Sequence, residues 1–258
     1  MELVMVANIA IPRAPNISPE EWTARVDLAA LHHLYVHFGW TDLIYTHLTH
    51  RVPGEPEHYL IKADHLMMDE VTASNLIKVD MEGNTVAGDH APNQAGHLIH
   101  TAILKARPDI NVAAHTHSRA GAAVSCMMPG LLPLSQHANM IIPTIAYHDY
   151  QDVTQAEDEC AALAHDIGDK FLMIMRNHGL LALGRSVAEC FYFLYYLEMA
   201  CKIQIDVLAS GQEPVLVSNE TVETLYLSGG QPGDVPLGVR VWPSMLRMLE
   251  RKDASFRE

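Results

Sequence analysis

The chain has 258 residues, 49% hydrophobic and 19% charged, which is enough apolar material for a sizeable core and carries no signature of disorder. Its 17 Lys and Arg against 31 Asp and Glu give a formal charge of −14, which argues against nucleic acid and against anionic membranes as partners. No apolar run reaches membrane-spanning length and the N-terminus lacks the pattern of a signal peptide. The four cysteines show no metal spacing, so they read as buried, reduced thiols of a cytoplasmic protein.

Residues 1–17 are weakly patterned and read as an N-terminal extension to a domain over 18–227. Ser18-Pro19-Glu20-Glu21 is a capping box with proline in the first turn, and it predicts a helix to about Phe38, stopped by Gly39. Strand-like runs follow at Leu43–Arg51, His58–Lys62 and Asn75–Asp80. A helix over roughly 94–106 stops before Pro108, a strand covers Asn111–His115, and another helix starts at Ser118. Met140–Tyr147 reads as a strand, and Thr154-x-x-Glu157 opens a helix that ends near Gly168. Phe171–Arg176 and Leu180–Leu183 are apolar strands bracketing a tight Asn177-His178-Gly179 turn. Ser186-x-x-Glu189 opens the longest helix, to about Ser210, and 228–258 reads as an irregular C-terminal tail, available for a subunit interface. Strands and helices mix without regular alternation, which predicts a layered α/β fold with a mostly antiparallel sheet.

Histidine is the informative count, at 16. In His115-Thr116-His117, residues i and i+2 of a strand point to one face, so both imidazoles can reach one ion. A satisfied polar network at a sheet edge is an equal reading of that pair alone. His178 sits in a second turn, where Gly179 would supply a positive φ that holds its ring at a strand end. Together the two presentations suggest a three-histidine metal site with open positions, the pattern of a catalytic rather than a closed structural centre.

His115-x-His117 downstream of Arg107-Pro108-Asp109, followed by Arg176-Asn177-His178-Gly179-Leu180, resembles the class II aldolase/adducin superfamily. Val71-Thr72-Ala73-Ser74, Leu132-Pro133-Leu134-Ser135-Gln136 and Tyr147-His148-Asp149-Tyr150 support the resemblance, which covers roughly residues 20–210. It implies a three-layer α/β/α fold, a homo-oligomer with a tetramer favoured, and one divalent metal per subunit held by His115, His117 and His178. Imidazole ligands leave Zn, Mn, Co and Fe open.

Two departures from the sugar-phosphate aldolases bear on the chemistry. The position matching their acid/base glutamate is Gly96, which cannot transfer a proton; His100, one helical turn on, and Tyr147 are the candidates to replace it. The stretches matching their phosphate-binding segments read Tyr45-Thr46-His47-Leu48-Thr49 and Lys62-Ala63-Asp64-His65, with a carboxylate and without the glycines. A small non-phosphorylated carboxylate is therefore the expected substrate, with Arg51, Lys62, His65, Gln136 and His148 as candidate binding residues. For Lys62 an ordinary surface salt bridge is the competing reading. The expected activity is that of a metal-dependent carbon–carbon lyase working through an enolate-type anion, with decarboxylation narrowly ahead of retro-aldol cleavage. Decarboxylation needs a proton donor only at its end, so the missing glutamate harms it less. An Fe(II)-dependent oxygenase and a non-catalytic adducin-like scaffold are the alternatives.

Overall fold

The computed structural model describes residues 17–150, 156–226 and 237–258. Helix α1 (Pro19–Phe38) opens as expected, with the Ser18 hydroxyl accepting from the Glu21 amide at 3.0 Å, and Gly39 closes it at φ 70°. Then come β1 (Leu48–Val52), β2 (Glu55–Ile61), β3 (Ile77–Asp80), β4 (Thr85–Ala87) and α2 (Gln94–Ala106). The chain continues through β5 (Val112–Thr116), α3 (Arg119–Ser125), α4 (Gln136–Asn139), β6 (Ile145–His148) and α5 (Ala156–Ile167). It ends with β7 (Leu172–Met175), β8 (Gly179–Gly184), α6 (Val187–Ala209), α7 (Asn219–Leu225) and α8 (Trp242–Glu250).

One eight-stranded sheet runs in the order β4-β3-β2-β1-β5-β8-β7-β6. Every pair is antiparallel except β6 with β7, as the mostly antiparallel expectation requires. Alternation along each strand sorts the apolar residues onto two faces. Leu48, Val112, Ala114, Leu172, Ile174 and Leu180 join the core beneath α1 and α6. Ala113, Met173, Met175, Leu181 and Leu183 join a second core beneath α2 and α5. The result is the three-layer α/β/α arrangement.

Several expectations are corrected. The strand proposed from Leu43 begins only at Leu48, because Leu43 (φ 51°) and Thr46 (φ 71°) adopt the left-handed conformation and make 40–47 a folded loop. The Met140–Tyr147 run breaks into the end of α4, a 3-10 turn and β6. Strand β4 and helices α7 and α8 were not expected. In place of an irregular tail, residues 242–250 form α8, and the Trp242 indole donates to the Asp27 carboxylate of α1 at 3.0 Å. The predicted cap at Thr154, residues 1–16 and residues 228–236 lie outside the described residues. Of the cysteines, Cys190 and Cys201 are buried as expected, whereas Cys126 is exposed and Cys160 half-buried. Among the described residues no helix is long and apolar enough to cross a membrane.

Candidate metal centre

The site forms where β5 ends and β8 begins, on the face covered by α2 and α5. His115 is the penultimate residue of β5, paired across to Leu181. By alternation with Ala113 its ring enters the α2/α5 layer. His117 follows two residues on, at the strand's exit. His178 comes from the β7–β8 turn, whose sharp reversal rests on Asn177 at φ 56°, so the left-handed residue precedes the histidine and is not Gly179. Gly179 is required for another reason: a Cβ there would collide with the Thr116 carbonyl oxygen, so only glycine lets β8 lie close enough to bring His178 to the pair on β5.

The three Nε2 atoms converge, at 2.8 Å between His115 and His117, 2.9 Å between His117 and His178, and 3.3 Å between His115 and His178. Their outer nitrogens explain the convergence. His115 Nδ1 donates to the Leu180 carbonyl at 2.9 Å, and His117 Nδ1 donates to the Asp42 carboxylate at 3.0 Å. Both acceptors can only accept, so in the neutral rings the facing Nε2 atoms of His115 and His117 carry lone pairs and no hydrogen. Two lone pairs at 2.8 Å repel unless a cation lies between them. Tetrahedral ligation at zinc–nitrogen lengths sets the nitrogens about 3.3 Å apart, and the observed triangle comes within about half an ångström of that on every side. The donor set therefore fits one divalent ion. Burial holds the His115 imidazole well below its usual protonation range, reinforced by His47, His178 and His117. His178 is pushed down to about 4 by burial first, then by His117 and His148. Neutral rings are what a metal requires.

Beside the triad lies a cavity of about 310 Å³, walled by the 45–47 loop, the start of α2, His117, His178, Tyr150 and Glu159. Two left-handed non-glycine residues shape that loop, the kind of backbone strain that clusters at functional sites. The Thr116 hydroxyl donates to the Trp40 carbonyl at 2.9 Å and ties the loop's start to β5. No Lys or Arg lines the cavity among the described residues.

The proposed binding residues separate from it. Arg51 donates to the carbonyls of Pro56, Leu104 and Ile110, a structural role inside the fold. Lys62 is buried rather than in a surface salt bridge, its Nζ donating to the Ile44 carbonyl at 2.7 Å and to that of Asp64, so it braces the site loop. His65 is exposed against His90, and Gln136 is exposed on α4; neither lines the cavity. His148 is buried, with Nδ1 on Asp166 at 2.8 Å and Nε2 without a partner, and it faces His178 only electrostatically. Tyr147 pairs in register with Ile174, so alternation sends it to the α6 face, away from the triad. There its hydroxyl accepts from the Leu131 amide at 3.0 Å and Arg176 covers its ring.

His100 does approach the site, but from behind another ring. It is fully buried, with Nε2 at 3.0 Å from His47 Nδ1 and Nδ1 at 2.8 Å from the Thr49 hydroxyl. Burial pushes it down to about 3. His47 is the ring that lines the cavity. The alternation in His47-Leu48-Thr49 could have placed residues 47 and 49 on one face. Asp42 and Glu159 left no local signal, because a loop and a helix bring them to the site from elsewhere in the chain.

Fold and site together define a three-layer α/β/α domain with a three-histidine centre suited to a metal. The sequence profile of the Class II Aldolase and Adducin N-terminal domain matches residues 26–205, and the chain belongs to that family. It is similar to an aldolase II superfamily protein from Pseudomonas syringae, a solved structure 43% identical with a TM-score of 0.90, over 94% of this chain and 98% of that one. Alpha-adducin of Rattus norvegicus is 41% identical across 88% of this chain, which spans 33% of the adducin. An L-fuculose 1-phosphate aldolase from Glaciozyma antarctica shares the fold at 23% identity, with a TM-score of 0.82 over 96% of this chain and 97% of that one.

Proposed function

We propose that this protein is a divalent-metal-dependent carbon–carbon lyase acting on a small, non-phosphorylated carboxylate, as a cytoplasmic homo-oligomer. The observation that carries the reading is the triangle of Nε2 lone pairs, two of them fixed by Leu180 and Asp42, beside a cavity large enough for an organic acid. A dication held there supplies Lewis-acid stabilisation of negative charge developing on a substrate. Because the cavity wall offers Glu159 and no described Lys or Arg, a phosphate dianion would find no side-chain cation to receive it. The same absence means that the substrate carboxylate belongs at the triad, not on Arg51 or Lys62. Within the lyase class, decarboxylation and retro-aldol cleavage are both open. The advantage given to decarboxylation by the bare Gly96 is reduced, since His47 occupies the space beside it.

A second reading, a non-catalytic scaffold, draws on the similarity to alpha-adducin. Metal analysis separates the two: the lyase purifies with about one divalent ion per chain, and a scaffold purifies empty. His178→Ala is expected to lose both the ion and turnover in a screen of hydroxy and keto acids that follows CO₂ and aldehyde release. Intact metal content and turnover in that variant would overturn the lyase reading.

A further inference from the structure

We propose that His47 is the group that carries protons to and from the substrate, held in place by His100 and Thr49 and given its room by Gly96. This rests on the lyase reading above.

Four observations place it. His47 lines the cavity. Its ring stacks on that of His115 with centroids 4.9 Å apart and planes tilted by 26°, so it stands beside the triad without being part of the convergent set. Its Nδ1 is taken by His100 Nε2 at 3.0 Å, which leaves Nε2 as its second nitrogen for the cavity. Finally, a Cβ built on Gly96 would lie 2.7 Å from His47 Cγ, so any larger residue at 96 evicts the ring. The glycine is thus the space into which the imidazole is fitted.

The chain of contacts suits proton movement. With His47 Nδ1–H donating to His100 Nε2, His100 Nδ1–H donates to the Thr49 hydroxyl, and His47 Nε2 presents a lone pair. In retro-aldol cleavage that nitrogen takes the hydroxyl proton as the C–C bond breaks and the carbonyl forms. The bonding pair passes to the carbon beside the substrate's carbonyl, and the same proton then returns to that carbon. No co-reactant is needed. In decarboxylation, which consumes one proton, Nε2 takes that proton from water and delivers it to the same type of carbon, and the hydroxide left behind combines with the released CO₂ as bicarbonate.

The test uses full-length protein loaded with zinc or manganese, with hydroxyacetone and pyruvate as probes. Exchange of their α-protons in D₂O is followed by NMR, alongside metal content and circular dichroism. Wild type is expected to exchange at least one probe. His47→Gln should lower that rate by about 100-fold or more with metal content and fold unchanged. Gly96→Ala should lower it by up to about 100-fold by displacing the ring. In metal-free, ¹⁵N-histidine-labelled protein, a coupling through the hydrogen bond should link His47 Nδ1 to His100 Nε2. Full exchange in folded, metal-loaded His47→Gln overturns the proposal and leaves the lyase reading standing. Loss of the metal in that variant also overturns it, by making His47 a ligand. If metal-loaded wild type exchanges neither probe, the lyase reading fails and this proposal fails with it.

Discussion

The two faces of the sheet are built from alternate residues of the same strands, yet they differ in how they treat polar groups. Beneath α1 and α6 the central strands contribute mostly apolar side chains, packed with Tyr35, Trp40 and Phe193, while Lys78 of β3 pairs with Glu21 of α1 at 2.8 Å. Of the two buried imidazoles on α1, His33 bonds the Val71 carbonyl, whereas His32 bonds the Leu28 carbonyl of its own helix and leaves its second nitrogen without a partner among the described residues. Beneath α2 and α5 the imidazoles are linked: His97 to Tyr59, His100 to His47 and Thr49, His115 to Leu180, and His148 to Asp166. A buried polar group costs free energy unless it is bonded, so the site face links its imidazoles into a network, whereas the other face pairs its few charges, as in Glu21 with Arg25 and Lys78, and is otherwise apolar.

Two substitutions and a pH profile probe how separate these faces are. The largest effect is expected from Phe193→Ala, which removes a fully buried ring stacked on Phe171 at 5.2 Å. It should cost about 3–5 kcal/mol in urea unfolding while the folded fraction keeps its metal affinity; a collapse of that affinity would mean the faces are not independent. Asp42→Asn should act the other way. Removing the charge that orients His117 should weaken metal binding by about 10–100-fold in chelator competition, with the urea midpoint of the metal-free protein almost unmoved.

The most gradual effect is that of pH on the metal-free protein. Burial lowers His32 and His100 from the usual 6.5 to about 3, one on each face. The unfolded chain then binds more protons than the fold below pH 6.5. The stability from keeping these rings neutral is fully present above that pH and is lost as the pH falls from 6.5 towards 3. Each ring should contribute a slope of up to about 1.4 kcal/mol per pH unit in that window. His32→Gln and His100→Gln should each flatten the urea-midpoint profile by one proton, and an unchanged profile in either would show that its ring is charged in the fold.

What the sequence revealed followed the range of the forces involved. Capping boxes at Ser18 and Ser186 act over three or four residues, and both open helices where expected. The His115-x-His117 pair and the Asn177-His178-Gly179 turn are equally local, and the structure brings their three rings to one point. Helix α8 escaped because Val241 provides no side-chain cap and its docking depends on Trp242 meeting Asp27, 215 residues away. Arg51 and Lys62 looked like ligands for an acid because sequence shows a charge but not the carbonyls around it.

The sequence by itself determined the order of most elements, the alternation that makes two apolar faces, and the local presentations of His115-x-His117 and of His178 in its turn, because each is written in spacings of two to four residues. Only the tertiary structure decided that His47 rather than His100 meets the cavity, that Tyr147 faces away, and that Asp42 steadies His117. Those outcomes depend on which face of the sheet a side chain leaves from and on what a distant loop places against it. The room left by a single glycine at position 96 is a property of packing, not of any local pattern.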